Sequence, residues 1–137
     1  MARNQCFEKI RHDIIESGRD TRYKVDAYLF VLNGLEFHLT RKGEKRHVKG
    51  QELSIGLLDF AHKQFGPFAR TVLEHWGVTA TDDFGYIVYN LIDIGIMSKL
   101  PEDRLEDFFK VTDVNRYLSE QESFEVDKEY IKKIKGA

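Results

Sequence analysis

The chain holds 137 residues, 42% of them apolar and 32% charged, and its 21 Lys and Arg nearly balance its 23 Asp and Glu. That length can bury a core, and that apolar share excludes a disordered polymer. The net charge of −2 excludes a general nucleic-acid binder, because coating phosphate takes a clear basic excess.

The charge is uneven: residues 1–70 carry 13 Lys and Arg against 9 Asp and Glu, and residues 71–137 carry 8 against 14. No apolar run reaches the roughly 18 residues that a membrane helix needs. The opening "MARNQCFEKIRHD" lacks the apolar stretch of an export signal, and the one cysteine, Cys6, offers no internal disulfide; the expected location is the cytoplasm.

In chain order, Phe7, Ile10, Ile14 and Ile15 predict a helix over 4–17 that stops at Gly18. After the polar "GRDTRY", residues 25–40 set Tyr28, Val31, Leu32, Leu35 and Leu39 on one stripe, widened by Leu29 and Phe30, which predicts a central helix. "TRKGEKRHVKG", residues 40–50, reads as a basic, glycine-bounded loop. A helix over 51–65 follows, with Leu53, Leu57, Leu58, Ala61 and Phe65 inward.

Gly66 breaks that helix and Pro67 suits the start of a short one carrying Ala69, Val72, Leu73 and Trp76. Gly77 fits its left-handed end. Thr79 and Thr81 offer caps to the next helix, and Asp82 and Asp83 suit its positive end. There Phe84, Ile87, Val88, Leu91 and Ile92 face inward, and Asp82, Tyr86, Tyr89, Asn90 and Asp93 face outward until Gly95. "IMSKLPEDRLEDFFKVTDV" reads as two short strands around a charged turn opened by Pro101. "NRYLSEQESF" and a weak, fraying helix "DKEYIKKIK" close the chain.

The expected fold is mainly α. It has a winged-helix-like helix-turn-helix core, a small two-stranded β-wing and extra N-terminal helices. One domain spans 1–137: N-terminal helices and basic loop over 1–50, the core over 51–114, a tail over 115–137.

"PEDR" at 101–104, Thr112 in "KVTDV" and the helix exit "LIDIGIMSK" are similar to MarR-type transcriptional regulators over residues 67–114. Those regulators present Ser, Thr and Arg to the DNA groove, whereas this helix face is acidic and tyrosine-rich. The blocks "DAYLFVLNGLEF", "HVKGQEL", "FGPFARTVLEHWGVTATDDFGYIVYNLIDIGIMSK" and "EDRLEDF", spanning 26–108, together resemble an uncharacterised bacterial family first grouped from Planctomycetes and Verrucomicrobia. That resemblance implies no activity and no catalytic residue.

A helix in the major groove needs Arg, Lys, Asn or Gln toward the bases, and the 81–93 helix offers only Asn90. Its outer face reads either as a solvated, capped surface or as a protein interface, with Tyr86 and Tyr89 as anchors beside Asn90 and Asp93 at the rim. The basic loop gathers Arg41, Lys42, Lys45, Arg46, His47 and Lys49 against Glu44 alone. It reads either as a solvated loop or as a dock for an anionic partner: nucleic-acid backbone, a phosphorylated ligand, an acidic protein, or the acidic half of a second copy.

His12, His38, His47, His62 and His75 form no H-x-x-x-H or H-E-x-x-H pair, and no C-x-x-C exists. The acids of "PEDRLEDFF" lie in a solubilising turn around Arg104. Cys6 has no neighbouring base, and the phosphate-cradling glycine motifs are missing. The expectation is no metal, no cofactor, no catalytic residue and no enzyme. The function expected is a small cytoplasmic interaction or adaptor module on a helix-turn-helix that does not read DNA. Its partner is another protein or a second copy, with nucleic acid disfavoured and no membrane contact. The alternative is a MarR-like nucleic-acid-binding regulator that uses the basic loop or Arg104.

Overall fold

The computed structural model describes residues 2–43 and 46–122. The chain is mainly helical. Helix α1 (Ala2–Ile10) widens into a π-helical stretch, Arg11–Glu16, and stops at Gly18. Helices α2 (Val25–Lys42) and α3 (Gly50–Phe65) follow. A 3-10 turn at Gly66–Phe68 carries Pro67 into α4 (Ala69–His75), and α5 is Thr81–Asp93. Residues 114–122 are helical again. The helix expected over "DKEYIKKIK" lies outside the described residues.

Helices α2 and α3 cross at two glycines. A Cβ on Gly34 would stand 2.4 Å from Leu57 Cδ2, and one on Gly56 would stand 2.7 Å from His38 Nδ1. Only bare backbone lets the axes come this close. Tyr28, Val31, Leu57 and Leu58 close the core beside the crossing, all fully buried. Leu73, Phe84, Ile87 and Leu91 extend it through α4 and α5, and Ile10 and Ile14 join it from the first helix.

The α4–α5 turn forms as its glycine implies. The Val78 amide donates to the Leu73 carbonyl (2.8 Å) and the Gly77 amide to that of Glu74 (3.0 Å), with Gly77 at φ 96°. Gly77 also lies against the α1–α2 connection, where a Cβ would sit 2.3 Å from the Arg22 carbonyl oxygen. The Lys24 amide donates to the Trp76 carbonyl at 3.2 Å, so the end of α4 and the start of α2 share a corner.

Two local expectations change. Thr81 does not cap α5: it is fully buried, and its hydroxyl accepts from the Val111 amide at 3.2 Å. Asp83 caps instead, accepting from the Thr79 and Ala80 amides at 2.9 and 3.1 Å.

The β-wing does not form: residues 96–113 hold no strand, only a short 3-10 helix at Leu105–Phe108. Side chains take the amides that a ladder would use. Asp103 accepts from the Leu100 amide and Asp107 from that of Arg104, while Asp82 binds the Lys110 amide and Thr81 that of Val111. Phe108, 4% exposed, wedges between α3 and α5 where Gly50 and Gly85 leave room. A Cβ on Gly50 would stand 2.9 Å from its ring, and one on Gly85 would stand 2.8 Å from its Cβ.

Phe108→Ala empties the contact that joins both helices to this connector. Urea unfolding should show a loss of about 3–5 kcal/mol. A loss near that of an exposed site would mean that the connector is not part of the core.

Candidate functional site

The outer face of α5 is not open along its length, because the α1–α2 connection lies over it. Asp20, with its side chain 7% exposed, accepts two bonds from the Arg22 guanidinium (2.7 and 3.0 Å) and one from the Asn90 side-chain amide (2.8 Å). Asn90 also donates to the Tyr28 hydroxyl at 3.0 Å. The Arg22 guanidinium sits 4.3 Å above the Tyr86 ring, whose centroid is 5.8 Å from that of Phe109. Tyr23 donates to Asp83 at 2.6 Å, and Arg19 pairs with Asp93 at 2.9 Å on an exposed edge.

Burial pushes the Asp20 carboxyl up, but the hydrogen bonds from Arg22 and Asn90 outweigh it and hold the group at about 2. Burial raises the Tyr23 hydroxyl, and its bond to Asp83 adds to the rise. It also lifts the Tyr28 hydroxyl to about 12, against the opposing bond from Asn90.

The residues singled out on α5 thus have intramolecular work. Tyr86 is half-buried between Arg22 and Phe109, Asn90 belongs to the Asp20 network, and Asp93 meets Arg19. Tyr89 is half-buried, and its hydroxyl is enclosed without a hydrogen-bond partner among the described residues.

The basic cluster divides. Arg41 donates to His38 Nδ1 (3.1 Å) and reaches Asp59 (3.5 Å), which also accepts from the Tyr117 hydroxyl at 2.6 Å. Arg46 grips Glu52 through both terminal nitrogens, at 3.1 and 2.7 Å. The other Glu52 partner is His38 Nε2 at 2.5 Å, so the buried imidazole donates to the carboxylate and accepts from Arg41. Bonds from Arg46, then His38, hold Glu52 at about 2. His47 pairs with Asp103 at 2.5 Å. Lys42 and Lys49 are exposed with no ion pair among the described residues, and Arg104 is exposed; Lys45 lies outside the described residues.

A broad concavity lies on the opposite side of α2. Here α2, the C-terminal half of α3 and Trp76 at the end of α4 bound a groove of about 700 Å³. Five aromatic rings line it in an unbroken series: Phe37 to Phe60 at 5.1 Å, Phe60 to Phe30 at 5.2 Å, Phe30 to Trp76 at 5.5 Å, and Trp76 to Phe65 at 5.7 Å. Leu29 adds an aliphatic wall. Asp26 and Glu36 stand on the α2 rim, exposed and without an ion pair among the described residues. From residue 26 to residue 40 the groove follows α2 for about 20 Å.

Of the residues singled out in the sequence, only Arg41 touches this groove. The aromatic wall was readable in part: α2 is apolar around too much of its circumference for one buried face. That Phe37, Phe65 and Trp76 stay half-buried depends on where α3 and α4 lie, which periodicity does not convey.

Among the described residues no group of three or more His, Cys, Asp and Glu side chains can hold a metal ion, and no helix is long and apolar enough to cross a membrane. No protein family, curated protein or solved structure matches the chain.

Because the Asp20 carboxyl is held at about 2 against an ordinary 3.8, the stability it contributes is complete above about pH 4 and disappears as pH falls toward 2. Asp20→Asn should lower the urea midpoint at pH 7, at a cost of at most about 2 kcal/mol. The gap to the wild type should close on acidification through that window. A gap that persists undiminished at the acid end would refute the charged network.

Proposed function

We propose that the protein is an interaction or adaptor module whose docking site is the aromatic groove between α2 and the ends of α3 and α4. The partner is an amphipathic helix from another protein, with an apolar stripe flanked by basic side chains. The observation that carries this reading is the series of five rings, with Phe37, Phe65 and Trp76 partly exposed over the buried Phe30 and Phe60, beside the carboxylates of Asp26 and Glu36. Helices bind grooves through apolar anchors at i, i+3 or i+4 and i+7, which a trench about 20 Å long accommodates over several turns. Aromatic rings supply much contact area at low entropic cost, and rim charge sets orientation and encounter rate.

On this reading α3, α4 and α5 form a helix-turn-helix scaffold, without a wing, that does not read bases. Asn90, the residue on α5 best suited to a base edge, is committed to Asp20 and Tyr28. Arg22 is committed to Asp20 and the Tyr86 ring, and Arg41 and Arg46 to Asp59 and Glu52. These commitments favour a protein partner over a MarR-like regulator. The expected contacts at Tyr86, Tyr89, Asn90 and Asp93 give way to the groove, because ordering an external partner there would first break internal bonds.

Selection from a phage-displayed library of 16-residue peptides tests the proposal. Enriched sequences should carry apolar residues at helical spacing with Lys or Arg beside them, and binding should shift Trp76 fluorescence. Leu29→Asp should weaken them by about tenfold, or 1.4 kcal/mol, at a temperature where circular dichroism shows the variant still folded, since Leu29 also packs on the core. Lack of enrichment, or peptides that bind Leu29→Asp as tightly, would defeat the proposal.

A further inference from the structure

We infer that the chain's own C-terminal segment, residues 123–137, is an occupant of the aromatic groove, held in competition with the external helix. The inference rests on the groove being a docking site and adds the identity of one ligand.

Three observations carry it. The first is where the described chain ends. Glu122 stands 3.8 Å from His62 Nδ1, near the C-terminal end of α3, and Gln64 and Phe65 just beyond His62 line one end of the groove. The 114–122 helix is held there by the Tyr117–Asp59 bond.

The second is length. Fifteen further residues follow Glu122. They reach about 20 Å as a helix and about 50 Å extended, which is enough to run along the groove from that end.

The third is chemistry. "SFEVDKEYIKKIKGA" ends in Tyr130, Ile131 and Ile134, which share one face when spaced as a helix. Lys133 and Lys135 then border that face on its two sides, and no acid follows Glu129. This is an apolar stripe with basic flanks, matched to aromatic walls and to a rim carrying Asp26 and Glu36.

A tethered ligand meets its site at an effective concentration on the order of millimolar, so even a weak contact stays largely closed. The apparent affinity for an external helix is then lowered by the fraction of molecules in which the groove is filled. The segment thereby sets a threshold that a partner must exceed.

The chain has one tryptophan, Trp76, and it lines the groove, so its emission reports occupancy in the full-length protein. The decisive variant is the full chain with Ile131→Asp and Ile134→Asp. It should red-shift Trp76 emission and raise acrylamide quenching about twofold, because an occupied groove shields the ring face. Its circular-dichroism melt should match that of the wild type. Glu36→Lys should raise quenching too, and adding Lys133→Glu and Lys135→Glu should restore it.

Unchanged emission and quenching in the Ile131→Asp, Ile134→Asp chain overturn the inference. So does a wild-type quenching constant that rises on dilution, since the occupant would then come from a second copy. If selected peptides still bind the groove in a Leu29-dependent way, the docking function stands and only this ligand falls. If those peptides fail as well, the groove itself is not a docking site.

Discussion

The architecture depends on how closely α2 and α3 approach. Gly34 and Gly56 remove the two side chains that would hold the helices apart, and Leu57 and His38 fill the space they vacate. His38 is buried there as a polar group with both ring nitrogens engaged, by Glu52 and Arg41, so its burial carries no unpaired-donor cost. The same closeness sets the floor of the groove, because it brings Phe30 and Phe37 of α2 within about 5 Å of Phe60 of α3. One steric requirement thus fixes both the centre of the molecule and the floor of its aromatic groove.

Around this crossing, charge is spent inward. Asp20 draws Arg22 and Asn90 across α5, Asp83 takes the first amides of that helix together with the Tyr23 hydroxyl, and Glu52 holds Arg46. Many of these groups look from the sequence like a surface awaiting a partner. An enclosed carboxylate with several donors is worth more than an exposed pair such as Arg19–Asp93, where solvent competes for both charges. That is why α5 keeps the position of a recognition helix but not its exposed chemistry.

Much of the helical plan was legible along the chain. Gly18, Gly66, Gly77 and Gly95 mark helix ends, and the apolar spacing between them assigns the inward faces. The error at residues 96–113 has a specific cause. Alternating apolar and polar residues resemble strands, yet each Asp can bond an amide three residues before it, and Asp103 and Asp107 both do so. Phe108 then finds space only because Gly50 and Gly85 lie apart in sequence and adjacent in space. The groove was less legible for a similar reason: an aromatic residue on a broadly apolar helix reads as core until its neighbours' positions show which part of the ring stays uncovered.

The corner where Lys24 bonds the Trp76 carbonyl, with Gly77 pressed on the Arg22 carbonyl, gives the molecule a mechanical link between two distant faces. Trp76 borders the aromatic trench on one side, and Arg22 clamps Tyr86 and Asp20 on the other. Backbone contacts join the two segments at this corner directly. The indole and the guanidinium are therefore carried by a single corner of the main chain, one on each of the two surfaces.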